Sequence, residues 1–294
     1  MKKNKIQLFD IINNTVLILI AALCVYPFLY IFFVACSDGT FLARGEVTFF
    51  PKGFNLEAFK YVLNSDDLNV FGGLMNSFIY TVAGTLVAVI ATYITAYALS
   101  RPQLKQRYVL MGLFTITWVF EAGIIPQYII YSACGFVNNP LVMIIPSMIN
   151  TQFLIICKTY LEGIPLELEE AAVVDGANQF QILHRVFMPI SKPILATIGT
   201  FYAVQIWNQY LVPQMYLKDE TFQTIQQVLK RVVITSGDAS TTFRNVMQND
   251  VLLNQQNLKS AAIFVAMVPI ICVYPFVQKY FKKGILIKSE AKRS

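Results

Sequence analysis

Residues 169–190 read EEAAVVDGANQFQILHRVFMPI, and this polar stretch separates two long apolar runs. The rest of the chain is far more hydrophobic: 56% of its 294 residues are apolar, its mean hydropathy is +0.55, and only 14% of its residues are charged. A soluble domain of this length would carry roughly 25% charged residues. The contrast indicates a membrane protein in which residues 169–190 form a structured connection outside the bilayer.

Apolar runs of about 20 residues, the length that crosses a bilayer core as a helix, recur along the chain. The sequence therefore predicts one all-α integral membrane domain over 1–294 with six transmembrane helices. The third span is interrupted near Gly123 and Pro126, where neighbouring groups can satisfy the backbone that a kink frees. The six predicted spans cover approximately 12–36, 74–99, 108–131, 140–160, 190–212 and 260–281.

The distribution of positive charge predicts how these spans are oriented. With the N-terminus inside, 15 of the 23 lysines and arginines fall in inside segments and 8 in the longer outside segments. The positive-inside rule then places both termini in the cytoplasm. The basic start MKKNKIQLFD precedes an apolar run that is too long for a signal peptide, which predicts a retained first helix.

The second long outside segment, 213–259, contains TFQTIQQVLKRVVI at positions 221–234. Its apolar residues recur at helical spacing, which predicts a short amphipathic helix on the outer surface. The residues of that apolar face are Phe222, Ile225, Val228, Leu229 and Val232.

The polar stretch itself predicts a short helix that serves as a docking element. Pro165 suits a first helical position, and the glutamates that follow it are favoured at the positive end of the helix dipole. Ala172 and Gly176 are four residues apart on one face, where small side chains let another backbone approach closely. The predicted helix covers about 165–178, and an ordinary solvated loop helix is the alternative interpretation. Four apolar residues after it are expected to pin the stretch to the membrane body: Phe180, Ile182, Leu183 and Val186.

These residues resemble the EAA signature of ABC-importer permeases, in which EAA is followed by a glycine after three residues and, further on, by I-x-L-P. Met188-Pro189 stands where the family usually has Leu-Pro, which is a mild departure. The flanking segments IPLELEEAA and PISKPILATIGTFYAVQIWNQY resemble the carbohydrate-uptake branch, that of the maltose and larger-oligosaccharide permeases. The resemblance covers nearly the whole chain and is densest over 160–213. The signature residues that match are Glu170, Ala171, Ala172 and Gly176.

The resemblance implies a type I ABC importer permease in a bacterial plasma membrane. The EAA helix would be the coupling helix, which binds in a cleft of a cytoplasmic ATPase subunit. The expected partners are a second homologous permease in a heterodimer, two ATP-binding subunits, and an extracytoplasmic solute-binding protein that delivers a sugar, an oligosaccharide or polysaccharide fragment. ATP and Mg²⁺ belong to the ATPase subunits, and no cofactor is expected in this chain. The residues expected to couple to the ATPase are Glu170, Ala171, Ala172, Asp175 and Gly176.

The sequence carries no recognisable set of catalytic or metal-binding residues. It contains no GxxxxGK[ST] and no Gly-Lys pair, so it cannot cradle nucleotide phosphates in that way. His184 is the only histidine, and the five cysteines form no CxxC pair. A membrane-embedded enzyme would need more than this, so no catalytic residue, metal or cofactor is expected in this chain, in agreement with the transport subunit that the resemblance implies.

Polar side chains inside the predicted spans indicate a path for the sugar, because such groups are unfavourable in lipid unless they face a cavity or a partner helix. Amides and carboxylates can bind sugar hydroxyls, and aromatic rings can cover the apolar side of a sugar. Tyr202, Gln205 and Gln209 share one helix face by spacing. Hydrogen bonding between helices is an equally good explanation of these amides. The candidate path residues are Glu121, Asn150, Tyr202, Gln205, Asn208 and Gln209.

Two other kinds of transport remain as alternatives. An ABC permease of this type could import a non-sugar solute such as an amino acid or a metal. A secondary transporter would use broken helices and buried charges without an ATPase, but Glu121 is the only carboxylate well inside a predicted span. The net charge of +6 follows from the loop topology, so the sequence predicts a lipid membrane and no nucleic acid as a partner.

Overall fold

A computed structural model describes residues 8–65, 68–235 and 253–290 of the chain. Within these ranges the structure is helical and contains no β-strand, as the sequence predicts. The α-helices, numbered in chain order, are α1 (Leu8–Ala35), α2 (Gly39–Ala43), α3 (Glu57–Asn64), α4 (Val70–Ser100), α5 (Arg107–Val119), α6 (Ile124–Ala133), α7 (Thr151–Glu162), α8 (Glu167–Val174), α9 (Gln179–Gln181), α10 (Met188–Ile190), α11 (Lys192–Trp207), α12 (Leu211–Tyr216), α13 (Ile225–Thr235) and α14 (Gln255–Glu290). A π-helix (Ile182–Phe187) joins α9 to α10, and short 3₁₀ helices lie at Pro140–Met143 and Glu220–Phe222.

The described residues group into two compact units. The first takes in residues between Met1 and Phe71 and between Val228 and Val268, and the second takes in residues between Gly72 and Gln227 and beyond Pro269. All of the candidate coupling and path residues belong to the second unit.

Fewer helices than six meet the length and composition expected of a membrane span. Among the described residues, three single helices do so, at Phe9–Ala35, Val70–Ser100 and Gln255–Val273. Two further candidates are bent pairs, α5 with α6 at 115° and Gln179–Ile190 with α11 at 81°, which brings the number to five. The number of six transmembrane helices therefore stays a prediction, and so does the cytoplasmic location of both termini.

The region of the fourth predicted span, 140–160, differs most from the sequence prediction. It begins as a 3₁₀ helix, continues without regular helix around Pro146, and becomes α7 only at Thr151. With 12 residues, α7 is about 18 Å long, which is shorter than a bilayer core. Asn150 accepts hydrogen bonds from the backbone N–H groups of Gln152 (2.9 Å) and Phe153 (3.4 Å), so an N-cap fixes where the helix starts.

The predicted interruption of the third span is confirmed. Helix α5 ends at Val119, and α6 starts after Gly123, whose φ of +80° is a conformation that favours glycine. The helix axes therefore turn sharply within four residues, 120–123. This break carries Glu121 out of regular helix.

The second unit is built around close packing of α4 against α11. A Cβ at Gly84 would come within 2.8 Å of the Ile206 side chain, and one at Gly199 would lie 3.6 Å from Val89. Small residues at such crossings let membrane helices approach closely. One buried core joins these helices to α7 and the π-helix; it comprises Tyr93, Ala96, Tyr97, Leu99, Leu154, Cys157, Leu161, Ile164, Ile182, Phe187, Ile194 and Ile198.

The first unit holds together through contacts near the end of α1. Phe264 of α14 packs against Phe32 and Phe59, with ring centroids 5.0 and 5.9 Å apart. The buried Asn257 side chain donates to the carbonyl of Ser37 at 3.3 Å. Most of α1 itself is exposed within the chain, as expected of an apolar helix that meets lipid or a partner.

The predicted amphipathic helix is confirmed as α13. Ile225, Val228 and Val232 are fully buried, whereas Lys230 and Val233 are exposed. The apolar spacing therefore identified these three buried residues, whereas Leu229 is half-buried and Phe222 lies in the 3₁₀ helix before α13.

Candidate functional site

A polar cavity of about 310 Å³ lies in the second unit, within the range of small-ligand sites. Residues from the α5–α6 break, from α6, from the segment before α7 and from the end of α11 enclose it. They are Glu121, Gln127, Tyr131, Val142, Pro146, Ser147, Ile149, Asn150, Gln205, Gln209 and Val212. Four of the six predicted path residues are in this lining, although they are up to 88 positions apart in sequence.

Non-helical backbone positions two of these side chains. Glu121 lies in the break between α5 and α6 and is exposed. Asn150 precedes α7 and caps it, so its side chain is held at the helix start. Irregular backbone at membrane depth is found where it lines a cavity or is buried in protein, and the first description fits both residues.

Tyr202 was predicted to line the path, but it lies beneath the cavity instead. Its side chain is fully buried, and its hydroxyl shares a 2.6 Å hydrogen bond with the Thr92 hydroxyl. The same oxygen accepts the backbone N–H of Asn150 at 2.8 Å. Tyr202 therefore supports the backbone of a lining residue and is itself absent from the lining.

The predicted polar stripe on the fifth span is only partly retained. Gln205 accepts a 3.3 Å hydrogen bond from the Asn150 side chain, and both residues line the cavity. The buried Oε1 of Gln209 has no hydrogen-bond partner within the described part of the chain. Asn208 lies outside the lining and donates to the Val204 carbonyl at 2.9 Å. Gln205 and Gln209 therefore stay together in the lining, although α11 ends at Trp207, while Tyr202 is turned into the core.

The sequence analysis missed three polar lining residues, Gln127, Tyr131 and Ser147. Gln127 donates to the Tyr131 hydroxyl at 3.0 Å, so these two form a pair on α6. The rule that polar groups inside spans face a cavity or a partner applies equally to Gln127. Applied to every polar residue of the third span, it would have found this pair.

The segment predicted as the coupling helix contains a shorter helix than expected. Helix α8 covers Glu167–Val174, where the prediction was about 165–178. It ends because Gly176 has φ +80° and two backbone hydrogen bonds close the end: Gly176 N–H to the Val173 carbonyl and Ala177 N–H to the Ala172 carbonyl, both 3.0 Å. The expectation of a mid-helix glycine packed on a face with Ala172 was wrong, since Gly176 terminates the helix.

The outer side of this segment is open. Apart from its two sequence neighbours, no residue that the structure describes lies within 4 Å of a Cβ placed at Gly176, and Val174 is 87% exposed. Of the predicted coupling residues, Ala172 is half-buried against the core, and the other four are exposed: Glu170, Ala171, Asp175 and Gly176.

Phe180 does not pin the segment to the membrane body, contrary to the prediction. Its side chain is 74% exposed and stacks on the ring of His184, with 6.3 Å between ring centroids. Ile182 is fully buried, and Leu183 and Val186 pack against the same core, as predicted.

A buried ion pair behind α8 is the main feature that the sequence analysis did not anticipate. Arg101 Nη1 donates to Glu169 Oε2 at 2.9 Å, and the two side chains are only 6% and 4% exposed. From the sequence, Arg101 was expected only to contribute positive charge on the cytoplasmic side, and Glu169 only to interact favourably with the dipole of its own helix. Neither charge pattern nor spacing connects two residues 68 positions apart, so no sequence signal could have found the pair.

These features describe a multi-helix membrane protein with a polar cavity and an exposed helical segment at a separate position. Residues 108–287 match the family described as "Binding-protein-dependent transport system inner membrane component". The chain belongs to this family, and it is a multi-pass permease component of an ABC transporter in a bacterial plasma membrane.

Relatives of known description are similar along nearly their whole length. Protein LplC of Bacillus subtilis is 37% identical over 96% of this chain and 95% of its own length. The polygalacturonan/rhamnogalacturonan transport system permease protein YtcP of the same organism is 35% identical over 97% of this chain and 99% of its own. A chain in the crystal structure of a bacterial ABC transporter involved in the import of the acidic polysaccharide alginate superposes with a TM-score of 0.87 at 32% identity, covering 96% of this chain and 99% of that one. The fold is therefore that of a type I ABC importer permease.

Proposed function

We propose that this chain is a permease subunit of an ATP-driven importer for carbohydrate, with oligosaccharides or polysaccharide fragments as the substrate class. The observation that carries the proposal is the polar cavity in a chain whose relatives include a polygalacturonan/rhamnogalacturonan permease and a permease chain of an alginate importer. The cavity would form this subunit's part of a translocation path shared with a second, homologous permease in a heterodimer.

The chemistry of the lining supports a sugar. Gln127, Asn150 and Gln205 offer amide donors and acceptors for hydroxyl groups, and Tyr131 offers an aromatic ring as well as a hydroxyl. The unpartnered Oε1 of Gln209 is an acceptor that a sugar hydroxyl could satisfy. Glu121 adds one carboxylate, which accepts hydrogen bonds strongly.

The exposed side of α8 supports coupling to an ATPase. We assign Glu170, Ala171, Asp175 and Gly176 to a surface that binds a cleft of a cytoplasmic ATP-binding subunit, with the half-buried Ala172 behind them. With six spans, this assignment would put both termini in the cytoplasm, which agrees with the prediction from the positive charges. Two such subunits would hold ATP and Mg²⁺, and an extracytoplasmic solute-binding protein would deliver the sugar on the opposite side. The transporter would then alternate between inward- and outward-open states because ATP and the loaded solute-binding protein bind one state more tightly than the other.

The test is the ATPase activity of the purified complex in lipid, measured with and without loaded solute-binding protein across a panel of neutral and acidic oligosaccharides. We expect one sugar class to stimulate ATP hydrolysis. Stimulation by a non-sugar solute instead would retain an ABC permease and overturn the carbohydrate assignment. Uptake into vesicles that proceeds without ATP would favour a secondary transporter.

A further inference from the structure

Arg101, just after the end of α4, makes three hydrogen bonds to three parts of the second unit. Its Nη1 bonds to Glu169 of α8 at 2.9 Å, its Nη2 to the Leu161 carbonyl near the end of α7 at 2.8 Å, and its Nε to the Ser100 hydroxyl at 3.0 Å. The guanidinium also lies over the rings of Phe187 (4.6 Å) and Tyr97 (5.3 Å). One buried side chain thus holds α4, α7, α8 and the π-helix at fixed positions.

The Arg101–Glu169 contact is the most deeply buried attachment of α8, beside the half-buried Ala172. Glu169 is its only fully buried residue, while Val173 and Val174 on its outer side are exposed. A buried carboxylate left without its cation is strongly unfavourable, so α8 cannot move away from Arg101 cheaply. A displacement of α8 should therefore also move the other elements that contact Arg101, which are α4, α7 and the π-helix.

Helix α7 is one of those elements, and it leads to the cavity. Arg101 bonds to Leu161 near its C-terminal end, and Asn150, which lines the cavity, caps its N-terminal end. The helix is about 18 Å long and continuous over 12 residues. A rigid element of this kind carries displacement from one end to the other.

We propose that Arg101 and Glu169 are a positioning pair that makes α8, α7 and the end of α4 move as one body, so that movement of α8 changes the cavity at Asn150. A well-packed apolar pair could stabilise the fold equally well, whereas a buried arginine whose donors bond to three different partners fixes the relative positions of the helices. This inference rests on the proposed coupling role of α8.

The experiment uses the complete transporter in proteoliposomes and measures molecules of sugar imported per ATP hydrolysed. The main variant is the double change Arg101→Met with Glu169→Gln, which leaves no unpaired buried charge and therefore folds more readily than either single change. We expect ATP hydrolysis to persist while the ratio of transport to hydrolysis falls by about fivefold or more, the range of typical coupling effects. A purely structural role would instead lower the amount of assembled complex and leave the ratio of the assembled fraction unchanged.

Lys158→Met with Glu162→Gln is the matched control, because it removes a more exposed ion pair by the same kind of double change outside α8 and should keep the wild-type ratio. A double variant that assembles normally and retains the wild-type ratio overturns the positioning proposal alone. If the wild-type complex shows no ATP-dependent import of any solute, the proposed function fails, and this inference fails with it.

Discussion

The second unit contains two polar clusters that differ in burial and in how completely their groups are paired. The side chains of Arg101 and Glu169 are 6% and 4% exposed, and the three hydrogen bonds of the Arg101 guanidinium are 3.0 Å or shorter. In the cavity the Asn150–Gln205 bond is 3.3 Å long, Gln209 has an unpartnered oxygen, and Glu121 is exposed. A fully satisfied buried network rigidifies a fold, whereas partly used amides keep capacity for a ligand. The Arg101 cluster is therefore suited to fixing helix positions, and the cavity is suited to binding a ligand.

The largest expected effect comes from breaking the buried cluster. Arg101→Ala leaves the Glu169 carboxylate buried without its partner, which should destabilise the protein by about 3–5 kcal/mol. Lys158 also pairs with a glutamate, Glu162, but the side chains of that pair are 18% and 37% exposed. Lys158→Ala should lower stability by about 1 kcal/mol or less. Thermal unfolding in detergent compares the two variants; equal losses would show that burial does not distinguish the pairs.

The next largest effect should come from removing amide side chains of the cavity, and it should appear as weaker sugar uptake. Gln205→Ala combined with Gln209→Ala removes two amides, each able to make hydrogen bonds worth about 0.5–1.5 kcal/mol to a ligand. The sugar concentration for half-maximal uptake should rise roughly 5- to 150-fold, with little loss of folded protein. Asn208→Ala tests a residue on which sequence and structure disagree. As a candidate path residue from the sequence it should show a similar defect, whereas its position outside the lining predicts almost none. A silent double variant would exclude this cavity as the sugar site.

A smaller effect is expected from substitutions at Gly176, which test why this position requires a glycine. Its φ of +80° disfavours residues with a Cβ by about 1–2 kcal/mol, and asparagine tolerates this region better than alanine or valine. We therefore expect coupling to decline in the order Gly176→Asn, Gly176→Ala, Gly176→Val, measured as substrate-stimulated ATP hydrolysis. If close contact with the ATPase sets the requirement, the smaller alanine will instead be tolerated better than asparagine.

The smallest expected effect concerns the charge of the substrate. Glu121 is the one charged residue in the cavity lining as the structure describes it. An exposed carboxylate repels a nearby anion by about 1 kcal/mol, so Glu121→Gln should raise uptake of acidic relative to neutral oligosaccharides by about fivefold. Glu162→Gln, a change of the same kind outside the lining, should leave that ratio unaltered. A ratio unaffected by Glu121→Gln would place the substrate away from this side chain.

The sequence by itself determined the features that depend on local pattern. Long apolar runs predicted helices, the apolar spacing of α13 predicted its buried face, and the EAA residues indicated the family. Gly123 and Pro126 predicted the break between α5 and α6. Each of these follows from the chemistry of residues close together along the chain, which backbone geometry converts directly into structure.

Only the tertiary structure decided which distant polar groups meet. It placed Tyr202 under the cavity, left Asn208 outside it, and joined Arg101 to Glu169 across 68 positions. It also gave Gly176 a role in ending α8. Helical periodicity says which face a residue occupies but not what that face packs against. Contacts between helices depend on where each helix ends and how closely its neighbours approach, and these are set by packing.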